Sequence, residues 1–318
     1  MMRAFDGRSR GTRGVSGMAT PCLLRKPTPF DPGEPPRAYS LTGARPPTSI
    51  PNECPLRPSE AMIALGRFAG YDAEAEFYDY CWSSLVEDIK FYKRRLSKPG
   101  RVLDLMSGTG RVGLALARAG CEVDGIERSA GMLRIARRKL GRLPAGVRPR
   151  LHLHRGDLMA FNLPKGFDAA VIPVDSYPLI LSRGDRVRAL RNVRRHLKAA
   201  GKLLLHIDTP RSYETARAGA PSVSVFRVDG EQKTYIRVLV ESYVRPDLVR
   251  GITAHVMVNR SGRVERRITT ETRTRVLSIS GVVRELSDAG FSRSRLFGDY
   301  SGGRLTRSSS FAVIESSA

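Results

Sequence analysis

Residues 102–112 read Val-Leu-Asp-Leu-Met-Ser-Gly-Thr-Gly-Arg-Val, and residues 125–133 read Gly-Ile-Glu-Arg-Ser-Ala-Gly-Met-Leu. The first stretch is an apolar run ending in a glycine-rich turn, the pattern of a buried strand handing over to a helix. Gly108 and Gly110 permit the tight turn and let a ligand approach the backbone closely. Glu127 closes a second apolar run, where a carboxylate can accept two hydrogen bonds from a ribose diol. Gly113 follows Gly110 by three residues, so the spacing Gly-x-Gly-x-x-Gly of dinucleotide-binding turns is also satisfied. The glycines by themselves leave the kind of nucleotide cofactor open.

Asp104 lies inside the strand run, four residues before the first glycine. Leu103-Asp104-Leu105 with Ser107-Gly108-Thr109-Gly110 resembles the first motif of the class I methyltransferases. Glu127, Ser129 and Met132 resemble the second motif of that family, and Gly156-Asp157-Leu158 the third. The resemblance implies S-adenosylmethionine as cofactor. It also implies that Asp104 holds the methionine end or braces the loop, and that Ser107, Gly108 and Gly110 form the turn beneath it. Glu127, Ser129 and Met132 are then expected at the ribose, and Asp157 and Leu158 at the adenine.

These motifs need a scaffold. From Tyr71 to Leu96, Phe77, Tyr80, Cys81, Leu85, Ile89 and Tyr92 recur at helical spacing, and Pro99-Gly100 ends the run. Strands are expected near 101–106, 121–126, 150–154, 167–173 and 202–208, with helices between them near 110–119, 129–140 and 183–198. This βαβ rhythm implies an α/β fold with a parallel sheet, helices on both faces and ligands at the carboxyl ends of the strands. Alternating runs such as Tyr235–Glu241 then predict an inserted antiparallel sheet of three or four strands. A helix near 281–289 and strands near 293–299 and 309–315 close the core. The resemblance implies a Rossmann-like seven-stranded methyltransferase sheet. Its core spans 61–220 and 279–318, and the insertion at 221–278 serves as an acceptor lid or a homodimer surface.

From about residue 70 onward the chain resembles the branch of amino-sugar N,N-dimethyltransferases and glycine/sarcosine-type N-methyltransferases. Tyr71-Asp72 and Tyr78-Asp79 resemble the doubled Tyr-Asp of its first helix, which implies that Tyr71 donates to the cofactor carboxylate. Relatives often carry Asn-Ser-Phe-x-His after the fourth core strand. Here Asp175-Ser176-Tyr177-Pro178-Leu179 places Leu179 where that histidine would stand. Asp175 is therefore the expected catalytic group, orienting an acceptor amine or taking its proton, with Tyr177 assisting. A turn-capping role for Asp175 is equally consistent with its position. His206 is expected in the core, and His255, Glu241 and Tyr243 stand on strands of the insertion.

The net charge is +23, with 54 basic residues of which only nine are lysine. Such charge ordinarily points to an anionic partner, but so steep an arginine bias also follows from a GC-rich coding sequence, and nucleic acid is not favoured. No apolar stretch approaches the ~20 residues that span a bilayer. The four cysteines lack metal-ligand spacing and suit a reducing cytoplasm, so no metal is expected. Residues 1–60 hold eleven of the twenty prolines and are expected to be a disordered extension, unless translation starts at Met62. The reading is a cytoplasmic S-adenosylmethionine-dependent methyltransferase acting on a small molecule, more at nitrogen than at oxygen. An RNA methyltransferase using the arginine surface, or a cofactor-binding partner without catalysis, are the alternatives.

Overall fold

Each apolar run ends as a strand, and the amphipathic runs between them become helices. The computed structural model describes residues 39–40, 70–96, 100–228 and 233–318. A short strand β1 (Tyr39–Ser40) is followed by α1 (Tyr71–Trp82), α2 (Glu87–Leu96), β2 (Arg101–Leu105), α3 (Arg111–Arg118), β3 (Glu122–Glu127) and α4 (Ala130–Gly141). Then come β4 (Leu151–Arg155), β5 (Phe167–Ile172), α5 (Arg183–His196), β6 (Leu197–Asp208) and α6 (Glu214–Ala218). The inserted strands are β7 (Pro221–Val228), β8 (Lys233–Arg245), β9 (Leu248–Val258) and β10 (Val264–Arg275). The chain ends with α7 (Ile279–Asp288), β11 (Ser292–Phe297) and β12 (Phe311–Ser317).

The core sheet has seven strands in the order β11-β12-β6-β5-β2-β3-β4. Strands β2 to β6 pair in parallel, and β12 is antiparallel to both of its neighbours. A sheet covered on both faces must be apolar on both, and the alternation along β2 and β6 shows it. Leu103, Leu105, Leu203 and Leu205 pack with Val187, Leu190 and Val193 of α5 and Leu286 of α7. Val102 and Leu204 pack on the other face with Phe91 and Tyr92 of α2 and Leu114 and Leu116 of α3. The expected Rossmann-like α/β fold with an antiparallel insertion is what the chain adopts.

The second sheet has the order β1-β7-β8-β9-β10 and is antiparallel throughout. Helix α1 packs against it through Phe77, which joins Phe226, Tyr235 and Met257 in a small apolar cluster. The region expected to be one helix, 71–96, is two. Helix α1 ends at Trp82 and α2 begins at Glu87, because Ser83-Ser84 are weak helix formers and the two halves dock on different partners. Strand β6 starts at Leu197, earlier than expected, and a register shift between Phe167 and Ala169 absorbs the extra residues. The expectation of disorder over 1–60 lies outside the described residues, apart from Tyr39 and Ser40. Among the described residues no helix is long and apolar enough to cross a membrane.

Candidate active site

The glycine-rich turn sits at the carboxyl end of β2, the central strand of the parallel set. Met106, Gly108 and Gly110 all take positive φ, at 54°, 55° and 76°, which is why glycine serves at two of the three. Gly113, one turn into α3, has a different reason. A Cβ there would lie 2.9 Å from Asp104 Oδ2 and 3.3 Å from Leu151, so glycine lets the helix pack directly on the strand. The Gly113 amide donates to Asp104 Oδ2 at 2.8 Å. Arg111 anchors the same helix by a paired hydrogen bond to the fully buried Asp88 of α2.

Glu127, at the end of β3, accepts from the Gly108 amide at 2.8 Å and from the Ser129 amide at 2.7 Å. It thus ties the first motif to the second. Each carboxylate oxygen keeps a further lone pair, so a ribose diol can bind the same group. Ser129 caps α4 by accepting from the Met132 amide at 3.0 Å, and its hydroxyl donates to Asp72. Gly156 donates to the Glu127 carbonyl at 3.0 Å, which fastens the third motif to the same strand end. Asp157 accepts from the Met159 amide at 2.8 Å and lines a cavity of about 320 Å³ with Ile126, Arg155, Phe161 and Leu163. A mixed lining, with Ile126, Phe161 and Leu163 as its apolar part and a carboxylate beside them, suits a purine ring carrying an amino group.

Helix α1 lies across both loops. Asp72 also accepts from the Gly131 amide at 3.1 Å, and Asp79 accepts from the Thr109 hydroxyl at 2.6 Å and from Lys139 at 2.9 Å. A Cβ on Gly131 would meet the Asp72 carbonyl oxygen at 2.3 Å, so this glycine is required for the contact. Tyr78 covers the turn, since a Cβ on Gly108 would stand 3.8 Å from its ring. Tyr71 is 41% exposed, yet burial first and the neighbouring Tyr78, Glu74 and Glu127 second push its hydroxyl pKa well up.

Two buried polar atoms at this strand end, Asp104 Oδ1 and Ser107 Oγ, have no hydrogen-bond partner among the described residues. An unpaired buried carboxylate oxygen is costly, and burial pushes the Asp104 carboxyl up to about 7 despite the Gly113 amide and Arg111. A cation seated there satisfies the orphan and restores the charge. The ammonium of S-adenosylmethionine is such a group, so Asp104, Ser107, Gly108, Gly110, Glu127, Asp157 and Tyr71 fit that cofactor.

Three expected contacts are corrected. Met132 is fully buried against Ala75 and Ile135, so its side chain seats α4 on α1 and does not reach the cofactor cleft. Leu158 is buried in the main core, with its carbonyl accepting from Asn192 at 3.0 Å. Tyr177 is also fully buried, and its hydroxyl donates to Glu285 at 2.7 Å. Glu285 pairs with Arg186 at 2.7 Å. Burial and the Glu285 charge raise the Tyr177 pKa strongly, which leaves it a structural hydroxyl in an ion-pair network and no partner of an acceptor.

Asp175 stands at the end of β5, beside the end of β6. Val174 and Asp175 take φ values of 50° and 44°, a strained conformation for a β-branched residue and an unusual one for the aspartate. Asp175 Oδ1 accepts from the Asp208 amide at 2.8 Å, and Oδ2 accepts from the Tyr213 hydroxyl at 2.5 Å. Burial, then the charge of Asp208 and that of Glu241 from the inserted sheet, raise the Asp175 pKa well above the usual carboxylate range. Glu241 is itself raised by burial and by Asp208, with Arg237 opposing. Carboxylates from the core and from the insertion therefore act on one another. His206 is buried and bonded to Asp208 at 3.0 Å and to the Tyr300 hydroxyl. Neither Asp208 nor Tyr300 stands out in the sequence as a candidate site residue. His255 is buried too, held between Tyr235 at 2.8 Å and Thr270 at 3.2 Å, so it braces the insertion. Leu179 is 36% exposed.

Residues 102–201 match the model of a family described as a methyltransferase domain. Among curated proteins, the chain is 33% identical over 141 residues to the methyltransferase YqeM of Bacillus subtilis, covering 44% of this chain and 56% of that protein. It therefore spans little more than half of that relative. It is 27% identical over 215 residues to the dTDP-3-amino-3,6-dideoxy-α-D-glucopyranose N,N-dimethyltransferase of Streptomyces fradiae, covering 62% of this chain and 80% of that protein. The sugar N-methyltransferase KedS8 of Streptoalloteichus shares the fold with a TM-score of 0.62 at 21% identity, over 79% of this chain and 94% of that one.

Proposed function

We propose that this chain, whose residues 102–201 are a methyltransferase domain of the class I S-adenosylmethionine-dependent fold, transfers methyl to an amine nitrogen of a small molecule. The observation that carries this reading is the carboxylate pair Asp175 and Asp208 at the ends of adjacent parallel strands, with Glu241 close by. Alkyl amines are protonated near neutral pH, with reference pKa values of about 10, and an anionic site draws them in. Such an amine must shed its proton before its lone pair can attack. A carboxylate held beside the nitrogen is a competent acceptor for that proton.

When bound, S-adenosylmethionine supplies an electrophilic methyl group. The chain's own residues do the rest by position. Asp104 and Glu127 fix the cofactor end of the site, and Asp175 with Tyr213 fixes the floor of the acceptor end. Holding a nucleophile about 3–3.5 Å from the carbon it attacks supplies ~7–11 kcal/mol in ideal cases. The relatives named above that act on amino sugars support nitrogen as the acceptor atom.

The test incubates the full chain with methyl-labelled S-adenosylmethionine and a host extract, with and without ribonuclease. Label in a small amine, insensitive to ribonuclease and recoverable by mass spectrometry, is the expected result. Label in RNA, or in an acid-stable oxygen ether, overturns the reading.

A further inference from the structure

His206 is an unusual core residue. It is 6% exposed and stacks on Phe311 at 4.7 Å with an interplanar angle of 14°, yet both of its ring nitrogens are used. Nδ1 meets the Tyr300 hydroxyl at 2.5 Å, and Nε2 meets Asp208 Oδ1 at 3.0 Å. The antiparallel pairing of β12 with β6 sets this up, placing Phe311 opposite Asp208 and Val313 opposite His206. Tyr300 is fixed in turn, its carbonyl accepting from Arg94 and its ring packing on Phe91.

Asp175 and Asp208 differ in what they leave free. Both oxygens of Asp175 accept hydrogen bonds from within the protein. The side chain of Asp208 is 33% exposed, and its only hydrogen bond among the described residues is the one from His206 to Oδ1. Its Oδ2 is the open carboxylate oxygen at this strand end.

We propose that Asp208 is the carboxylate that meets the acceptor nitrogen and that His206, clamped by Tyr300, is the positioning residue that holds it there. The proposal rests on the amine reading above. A carboxylate only accepts hydrogen bonds, so Nε2 carries the hydrogen, Nδ1 accepts, and Tyr300 donates to it. One tautomer is thereby selected. The N–H donated to Oδ1 fixes the orientation of the Asp208 side chain and leaves Oδ2 for the acceptor. The acceptor ammonium passes its proton to Oδ2. Its freed lone pair forms the new N–C bond, and the C–S bonding pair stays with sulfur. The other ionisable groups around Asp208 are Asp175 after β5, Glu241 of β8 with Arg237 beside it, Tyr213 after β6, and Tyr300 before β12.

Two measurements on the full chain test this. Nitrogen-15 NMR of the imidazoles, assigned with His206→Phe, reads the His206 tautomer without any substrate. The expectation is a single Nε2–H tautomer across neutral pH, released to a mixture in Tyr300→Phe. A mixture in the wild-type chain overturns the clamp. With the amine found by the labelling test, His206→Phe is expected to lower kcat/KM about 10- to 100-fold. His206→Gln, which keeps a donor near Nε2, restores most of the rate. Asp208→Asn is expected to lose about 100-fold or more, while cofactor affinity stays unchanged in all variants. Unaltered kcat/KM in His206→Phe or Asp208→Asn overturns the proposal. A wild-type chain that methylates no amine instead sinks the functional reading, and the tautomer then decides the clamp.

Discussion

Asp72 and Asp79 stand seven residues apart on α1, and each holds a different cofactor loop. Seven residues are close to two helical turns, so both carboxylates leave the helix on one side. Asp72 takes Ser129 and Gly131 of the second motif, while Asp79 takes Thr109 of the first and Lys139. The helix is a strap with two buckles.

Releasing either buckle is expected to weaken cofactor binding more than it weakens the fold. Asp72→Ala and Asp79→Ala should each raise the dissociation constant of S-adenosylmethionine about 3- to 10-fold, since each removes charge-assisted hydrogen bonds. Titration calorimetry checks this. Unchanged affinity in both variants would mean that the apolar contacts of Phe77 and Ala75 suffice to dock the helix.

Cofactor affinity should rise with pH through neutrality. The Asp104 carboxyl, at about 7 in the folded chain through burial, is neutral below that value and charged above it. A cation bound there requires the charged form, so affinity falls by at most about tenfold per pH unit below 7. For the cofactor-free chain the sign is opposite. Its carboxyl holds a proton that the unfolded chain releases near pH 4, so stability declines as pH rises from there to 7. Asp104→Asn still accepts from Gly113 and should remove both trends. Thermal unfolding at pH 6 and pH 8, with and without cofactor, reads them.

Tyr177→Phe should leave methyl transfer and cofactor affinity intact while costing about 1 kcal/mol of stability, the worth of a buried hydrogen bond to a partner that keeps others. Denaturant unfolding alongside initial rates separates the two. A large loss of rate with no loss of stability would return Tyr177 to the site.

Acid should loosen the insertion. Burial first, then Arg237, lower the His255 pKa to about 4, against about 6.5 when unfolded. The stabilising effect of a neutral buried imidazole is complete above pH 6.5 and is lost as pH falls toward 4, up to a ceiling of about 3 kcal/mol. The melting temperature should drop between pH 7 and pH 5, and drop less in His255→Gln. An equal drop in both would assign the acid sensitivity elsewhere.

The strand-turn-helix expected to hold the cofactor was legible because its parts are local. Asp104, Gly108, Gly110 and Gly113 sit within one strand-turn-helix, and their spacing carries the geometry. The seven-residue Tyr-Asp repeat was visible too, but its tyrosines drew the reading, although the helical period places the aspartates together as well. The acceptor half depends on register between distant segments. Asp208 reaches Asp175 across 33 residues of sequence, and Tyr300 reaches His206 across 94. No local pattern encodes either pairing. Tyr177 was misread for the same reason, since Glu285, which claims its hydroxyl, lies 108 residues away.

The antiparallel return of β12 beside β6 separates two competences along the chain. The cofactor-side residues all lie between Tyr71 and Asp157, whereas the ring that clamps His206 arrives only with Tyr300. As the chain leaves the ribosome, every residue proposed to hold the cofactor is made before Tyr300, the last member of the proposed acceptor apparatus. A chain cut short before that point would keep the residues that grip the methyl donor and lose the contact that aims a carboxylate at the nitrogen.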